Sequence, residues 1–324
     1  METKPVDLDT FIVATYCLLD EAMDQLLPDG ERLRKRGPDP LFLDDKEVLT
    51  IEVVGEFLGI DTDEGLFRYF RRHYAEWFPG LGEVHRTTFV RQAANLWKVK
   101  QLLWRHLLKE KVEKVSFDPA ISIIDSFPVP VCRFARAYRC RRLREVSAYG
   151  HDSSSGKKGK ASLFFGLKAH VRVCWPGVVV EAELAAANYH DLSLAEEILG
   201  STTENATTSE QGGWVLGDRN YHSPNLSEAL MHSPRGLELV APQKSSKKER
   251  HHPWPRWLVN KRRRIETVFS QFVERFKAKK VWARDRWHLT SRFVRKILSH
   301  TVAVYFSQQA GLCSPLRFSE LVTD

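Results

Sequence analysis

The sequence has no pair of cysteines at metal-binding or redox spacing. Its five cysteines, Cys17, Cys132, Cys140, Cys174 and Cys313, are scattered and odd in number. That argues against a disulfide framework and a structural zinc site, and it fits a reducing, cytoplasmic setting with free thiols. No run of about 18 apolar residues occurs, so no membrane span is expected. The first residues, METKPVDLDTF, have neither a basic start nor an apolar stretch, and do not read as a secretion signal. No internal repeat is visible.

Net positive charge is concentrated in the second half. The 324 residues carry a net charge of +8, unevenly spread. Residues 1–64 hold 17 acidic and 6 basic side chains, whereas residues 244–264 hold nine Lys or Arg and one Glu, and residues 133–145 six Arg and one Glu. Concentrated positive charge attracts a polyanion through release of its counterions, so nucleic acid is the expected partner class.

Residues 1–110 read as helical, with segments at 44–58, 62–78 and 87–108. Three helices with short links suggest a helix-turn-helix-like bundle, with Arg86, Thr87, Thr88 and Arg91 opening its last helix. Near residue 115 the pattern changes. Ala120–Asp125 is a short β-branched run ending in a carboxylate, and reads as a buried strand. Residues 126–160 read as a long basic connection. Two alternating stretches, 163–173 and 178–186, meet at the turn Trp175-Pro176-Gly177 and form a hairpin. There the cations Lys168, His170 and Arg172 stand opposite Glu181 and Glu183. Then come a helix at 191–199, a strand at 214–218, a helix at 223–231, a strand at 237–241 and a last helix at 258–279. This order predicts an α/β fold: a ribonuclease H-like mixed sheet flanked by helices, preceded by an all-α N-terminal domain. The expected division is 1–112 for that helical, candidate DNA-binding domain, 113–300 for the sheet domain and 301–324 for a C-terminal tail.

Asp125 ends the first strand and Asp218 the fourth. Adjacent parallel strands bring such residues together beyond the sheet's carboxyl edge. Glu266 lies beside Ile265 on the edge of the last helix's apolar stripe, flanked by Arg262 and Ser270. Three carboxylates in one pocket raise each other's pKa unless a cation neutralises them. Oxygen ligands without histidine favour Mg²⁺ or Mn²⁺, and two such ions about 3.5–4 Å apart suit phosphodiester chemistry. Asp118 reads as a turn residue before Pro119, and Asp191 as the N-cap of the following helix. On the polar face of the hairpin, Lys168 and His170 are candidate DNA contacts. Lys244, Lys247, Lys248, Lys261, Arg262, Arg263 and Arg264 in the basic run are others, and Arg139, Arg141 and Arg142 in the connection complete the set. Trp254 and Trp257 inside the run are candidates for stacking on an unpaired base or for packing. Tyr221, His222 and the cluster Asn188, Tyr189 and His190 read more simply as loop and turn residues.

Four ordered segments carry a family resemblance: SIIDSFPVPVCRFARAYRCRR, FFGLKAHV, LGDRNYHS and RRRIETVFSQF. Together they resemble bacterial insertion-sequence transposases of the DDE class, most closely the group called insertion-sequence family nine-eighty-two, over roughly residues 115–300. The short separation of Asp218 and Glu266, with no room for a large inserted domain, resembles that group. The resemblance implies a transposase whose Asp125, Asp218 and Glu266 bind catalytic metal. It also implies DNA partners, namely terminal inverted repeats and target DNA, and self-association on DNA in the bacterial cytoplasm near the nucleoid. Arg262 matches the arginine four residues before the glutamate. Val259 and Val273 stand where related groups carry a tyrosine and a lysine that hold a phosphate, so Arg275, Lys277 or the 261–264 run would have to replace them. Two other readings fit the residues: a ribonuclease H-like nuclease that cuts without joining, and a catalytically silent DNA-binding regulator derived from a transposase.

Overall fold

The computed structural model describes residues 6–27, 41–112, 118–152, 162–200, 212–243, 256–280 and 282–323. The chain divides into two compact units. One comprises residues 1–115, 272–278 and 282–324; the other comprises residues 116–271 and 279–281.

In the helical unit, local chemistry starts each helix. Asp7 accepts from the Thr10 amide to open α1 (Leu8–Leu26). Asp44 and Glu47 form a reciprocal capping box on α2 (Asp45–Phe57), and Thr62 caps α3 (Asp63–His73). A short turn, α4 (Gly80–Glu83), follows. The helix expected over 87–108 is two helices, α5 (Arg86–Asn95) and α6 (Trp97–Leu107), because the chain turns at Leu96 with ψ near 9°. The longest helix among the described residues, α11 (Arg286–Gln309), groups with these helices and not with the sheet. Two-residue strands β1 (Val6–Asp7) and β8 (Val322–Thr323) pair in parallel.

The centre of this unit is charged. Glu52 and Glu56 of α2, Lys100 of α6, and Arg295 and Lys296 of α11 are all buried, as is Asp63 at the start of α3. Lys100 lies 2.6 Å from Glu52, Arg295 2.7 Å from Glu56 and 2.8 Å from Asp63, and Lys296 2.8 Å from Glu56. Burial works to raise the Asp63 pKa, but Arg295 and Arg292 hold it well below the carboxylate range. Burial pushes the Lys100 and Lys296 ammoniums down, partly offset by Glu52 and Glu56.

In the second unit, strand β2 (Asp118–Pro130) is central. It pairs antiparallel with β4 (Ser162–Trp175) and parallel with β6 (Gly213–Leu216). β4 pairs antiparallel with β3 (Ala148–Asp152) and with β5 (Val178–Ala186), and β6 pairs in parallel with β7 (Leu237–Val240). Helix α7 (Asp191–Leu199) joins β5 to β6, and α8 (Pro224–Met231) joins β6 to β7. One apolar cluster, including Ile124, Leu194, Val215, Leu226 and Leu239, ties both helices to the sheet. This is the ribonuclease H-like order: an antiparallel meander extended by parallel strands with crossover helices.

Three details differ from the expectation. β2 runs five residues past Asp125, because its far half keeps pairing with β4 through Pro130. The connection expected to be irregular contributes strand β3. The last helix is broken into α9 (Arg256–Arg262), α10 (Arg264–Ser270) and a π-helical turn over Gln271–Arg275.

Replacing Glu56 with Ala leaves Arg295 and Lys296 buried without that carboxylate. A loss of about 3–5 kcal/mol in the stability of the helical unit is expected, read from its denaturant midpoint. A change below about 0.5 kcal/mol would show that the network is not needed.

Candidate active site

The parallel ladder between β2 and β6 aligns Ile121 with Trp214, Ser122 with Val215 and Ile123 with Leu216. Two residues beyond Ile123 and Leu216 come Asp125, still on β2, and Asp218, just past the end of β6. The register therefore brings the two carboxylates level, just past the end of the ladder. Asp218 is pinned: its oxygens accept from the Asn220 amide at 2.7 Å and the Asn220 side chain at 3.2 Å, capping a 3₁₀ turn over Arg219–Tyr221. Asp125 accepts from the Ser126 amide at 2.8 Å. Burial pushes its pKa up to about 7, and the charges of Asp218 and Asp191 add to the rise against the opposing Ser126 amide and Arg262. Asp125 in this state costs free energy to ionise, and a nearby cation would remove the cost.

Asp191 belongs to this neighbourhood and is not the N-cap expected of it. His190 caps α7, its Nδ1 accepting from the Leu192 amide. The freed Asp191 carboxylate lies 2.8 Å from Lys168 and 3.8 Å from His170 Nε2. The assignment of Lys168 and His170 to a DNA-facing surface is therefore corrected. His170 is fully buried, and burial pushes its pKa down to about 4 despite Asp191, so the ring is neutral. Lys168 already holds a carboxylate. The cross-strand pair of Arg172 with Glu181 expected in the hairpin forms: buried Arg172 donates to Glu181 at 2.8 Å, and Arg235 meets the same carboxylate at 3.0 Å.

Tyr221 is buried in the apolar cluster, and burial, with Asp125, Asp191 and Asp218 near by, raises its pKa well above the usual value. Gly217 makes this packing feasible, because a Cβ there would lie 2.6 Å from that of Tyr221. His222 sits 3.3 Å from the Ala241 carbonyl, and the Tyr189 hydroxyl bonds to Glu197.

Helix α10 lies on β2. Ile265 and Val268 are buried, and the Phe269 ring is 4.9 Å from that of Phe127. Glu266 on this helix is exposed. Among the described residues, no group of three or more His, Cys, Asp or Glu is arranged to hold a metal ion. Asp125 and Asp218 are thus brought together, and Glu266 stands outside the pair.

The remaining cations divide by what they touch. Lys261 lies 3.4 Å above the Trp175 ring and Arg264 4.8 Å above it, both as cation–π contacts, while Arg263 is exposed. Trp257 packs 6.0 Å from Trp214 while keeping about half its surface exposed. Arg142 donates to the Val131 carbonyl, whereas Arg139 and Arg141 are exposed, Arg139 over the Tyr138 ring at 4.9 Å. Arg275 donates to the Phe57 carbonyl at 2.8 Å and covers the Phe57 ring, which removes it as a phosphate holder. Lys244, Lys247, Lys248 and Trp254 lie outside the described residues.

This separates the three arginines of the connection. Arg139→Ala with Arg141→Ala is expected to weaken DNA binding and lower the slope of log affinity against log salt by about 1.8, since each phosphate contact contributes roughly 0.9. Arg142→Ala is expected to lower the melting temperature and leave that slope alone. Titration of binding against salt checks both, and equal slopes in all variants would refute the division.

A family model described as a transposase DDE domain matches residues 116–284. No curated protein matches the chain. Among solved structures, a cryo-EM piggyBac transposase synaptic complex with hairpin DNA is similar at 11% identity and a TM-score of 0.43. That match covers 98% of this chain and 79% of that one. With the family model spanning more than half of the 324 residues, sheet unit included, the chain belongs to the transposase DDE domain family.

Proposed function

We propose that this chain is a metal-dependent DNA transposase of a bacterial insertion sequence, of the kind that resembles family nine-eighty-two. The observation that carries the reading is the β2–β6 register. It levels Asp125 with Asp218, and the former is pushed up to about 7 by burial and its carboxylate neighbours. Two hard oxygen donors that repel each other suit a divalent cation, so the donor chemistry fits Mg²⁺ or Mn²⁺. Asp125 and Asp218 would hold it, with Glu266 as the third carboxylate. Support for Glu266 comes from its neighbours in the sequence. Arg262, four residues earlier, acts on Asp125, and Phe269, three residues later, packs on Phe127, two residues along the same strand face as Asp125. Glu266 lies between these two positions in the sequence, exposed on α10.

When bound, such ions supply an activated attacking oxygen and stabilise the leaving oxygen of a phosphodiester. The chain's own residues do the positioning. The Asn220 amide and side chain fix the Asp218 carboxylate. The Ser126 amide orients Asp125. Arg262 offsets part of the carboxylates' mutual repulsion and presents positive charge where a phosphate would approach. The DNA would be the terminal inverted repeats and a target, bound by a multimer in the bacterial cytoplasm near the nucleoid. Among the described residues, no helix is long and apolar enough to cross a membrane. The helical region 1–112 would contribute DNA binding.

Labelled DNA carrying the element's ends, incubated with Mg²⁺ or Mn²⁺, should be cut by the wild type. Asp125→Ala and Glu266→Gln should each cut at least about a hundredfold more slowly while still retarding the DNA on a gel. Cleavage by either variant at the wild-type rate sinks the triad. Insertion of the cut ends into a supplied plasmid separates a transposase from a nuclease that only cuts.

A further inference from the structure

The helical unit contains an open cleft of about 610 Å³, a size in the range of small-ligand pockets, roughly 300–1,000 Å³. Residues distant in sequence meet in it. Arg86, Thr87 and Arg91 come from the start of α5, Trp282 and Arg284 from the segment before α11, and Trp287 and Arg292 from α11 itself.

The acidic groups that line the cleft are already engaged. Asp63 is held by Arg295 at 2.8 Å and by Arg292 at 2.5 Å. Glu64 meets Arg68 at 2.7 Å and Arg86 at 2.9 Å. Asp285 caps α11 and lies 2.9 Å from His288. The cations are not used up. Arg91 and Arg284 carry no hydrogen bond or ion pair among the described residues. Arg292 spends one terminal nitrogen on Asp63, while its Nε and the other terminal nitrogen are enclosed without a partner. Buried donors left in this way cost free energy, and a guanidinium with spare donors favours an oxyanion.

Two indoles stand in the same cleft. Trp282 is 52% exposed and Trp287 37% exposed. The Trp282 Nε1 donates to Asp61 at 3.2 Å, which fixes that ring's orientation, and the Trp287 ring packs against His288 at 4.9 Å. Held aromatic rings beside free guanidinium groups make a site for a base and its phosphate. A base inside a duplex is already stacked on its neighbours and offers no face, so the pairing of features favours an unpaired nucleotide.

We propose that this cleft binds an unpaired nucleotide of DNA, with phosphate against Arg91 and Arg284 and the base against Trp282 or Trp287. The choice of DNA as ligand rests on the transposase reading above. The site itself lies wholly within the helical unit and uses none of the carboxylates of the sheet. It also gives the exposed start of α5 a different task from reading base edges in a groove. Its arginines act with residues some two hundred positions later in the chain.

The test uses the full chain without divalent metal, so that nothing is cut. A fluorescein-labelled thymidine hexanucleotide is titrated by anisotropy, and tryptophan emission is followed alongside. The wild type should bind with quenching. Arg91→Ala with Arg284→Ala should weaken binding at least about tenfold and lower the salt slope by about 1.4, at roughly 0.7 per contact to a single strand. Lysines at the same two positions should keep the slope. Trp282→Ala with Trp287→Ala should weaken binding by about five- to a hundredfold, and phenylalanine at both should restore most of it. Melting curves matched to the wild type ensure that folding is not what was lost.

Unchanged affinity and slope in the arginine variant would overturn the proposal. So would a duplex that binds as tightly as the single strand with no quenching. Asp125→Ala should leave hexanucleotide binding unaltered. If no DNA is cut yet the hexanucleotide depends on these four side chains, the cleavage reading fails and the cleft stands. If DNA is cut and binding ignores them, the cleft fails alone.

Discussion

The sheet unit depends on how β2 is paired. One edge of this strand runs antiparallel to β4 for nearly its whole length, and the other runs parallel to β6 for only three residue pairs. The long ladder fixes the strand in place. The short one decides where the sheet opens, and Asp125 and Asp218 occupy the opening. A slip of one residue in the parallel register would turn one of the two carboxylates to the other face, since side chains alternate along a strand. The apolar cluster around Ile124, Val215 and Leu239 prevents that slip by burying one face of each strand.

Charge serves the two units differently. In the helical unit, six buried ionic groups from four helices neutralise one another at hydrogen-bonding distance, so that each carboxylate finds a cation. Such a network contributes less net stability than an apolar core of the same volume, but removing any one partner is costly. In the sheet unit, Arg172, Glu181 and Arg235 form a smaller network of the same kind. The carboxylates at the sheet's edge are the exception. Asp125 is desolvated beside Asp218 and Asp191, with the Ser126 amide and Arg262 acting against them. Burial without full neutralisation costs free energy, and perturbed groups of this kind cluster at functional sites.

The basic character of the sequence is likewise divided by the fold. Several cations that raise the net charge are spent internally. Lys168 is held by Asp191, Arg142 by a backbone carbonyl, and Arg275 by the Phe57 carbonyl and ring. Lys261 and Arg264 sit on Trp175 with their charge still near the surface, as amphipathic cations do. Of the candidate DNA contacts that the structure describes, Arg139, Arg141 and Arg263 stay exposed. A count of lysines and arginines therefore overstates the surface available to a polyanion.

The order of strands and helices in the sheet unit was legible in the sequence, because period-two alternation and helical spacing are written in neighbouring residues. So was the pairing of Asp125 with Asp218, since both follow apolar β-branched or aliphatic runs that had to lie side by side. Helix starts were legible where the cap is local, as at Asp44 with Glu47. The break at Leu96, the π-helical turn after Ser270 and the extra strand at 148–152 were not, because each is set by what the segment packs against. The fates of Lys168 and His170 were misread for the same reason. Alternation shows that they share a face with Arg172, but only the position of α7 shows that Asp191 closes over that face. Glu52, Glu56, Arg295 and Lys296 look like ordinary surface charges in sequence. Burial is a property of three-dimensional neighbours up to 243 positions apart, and no local pattern records it.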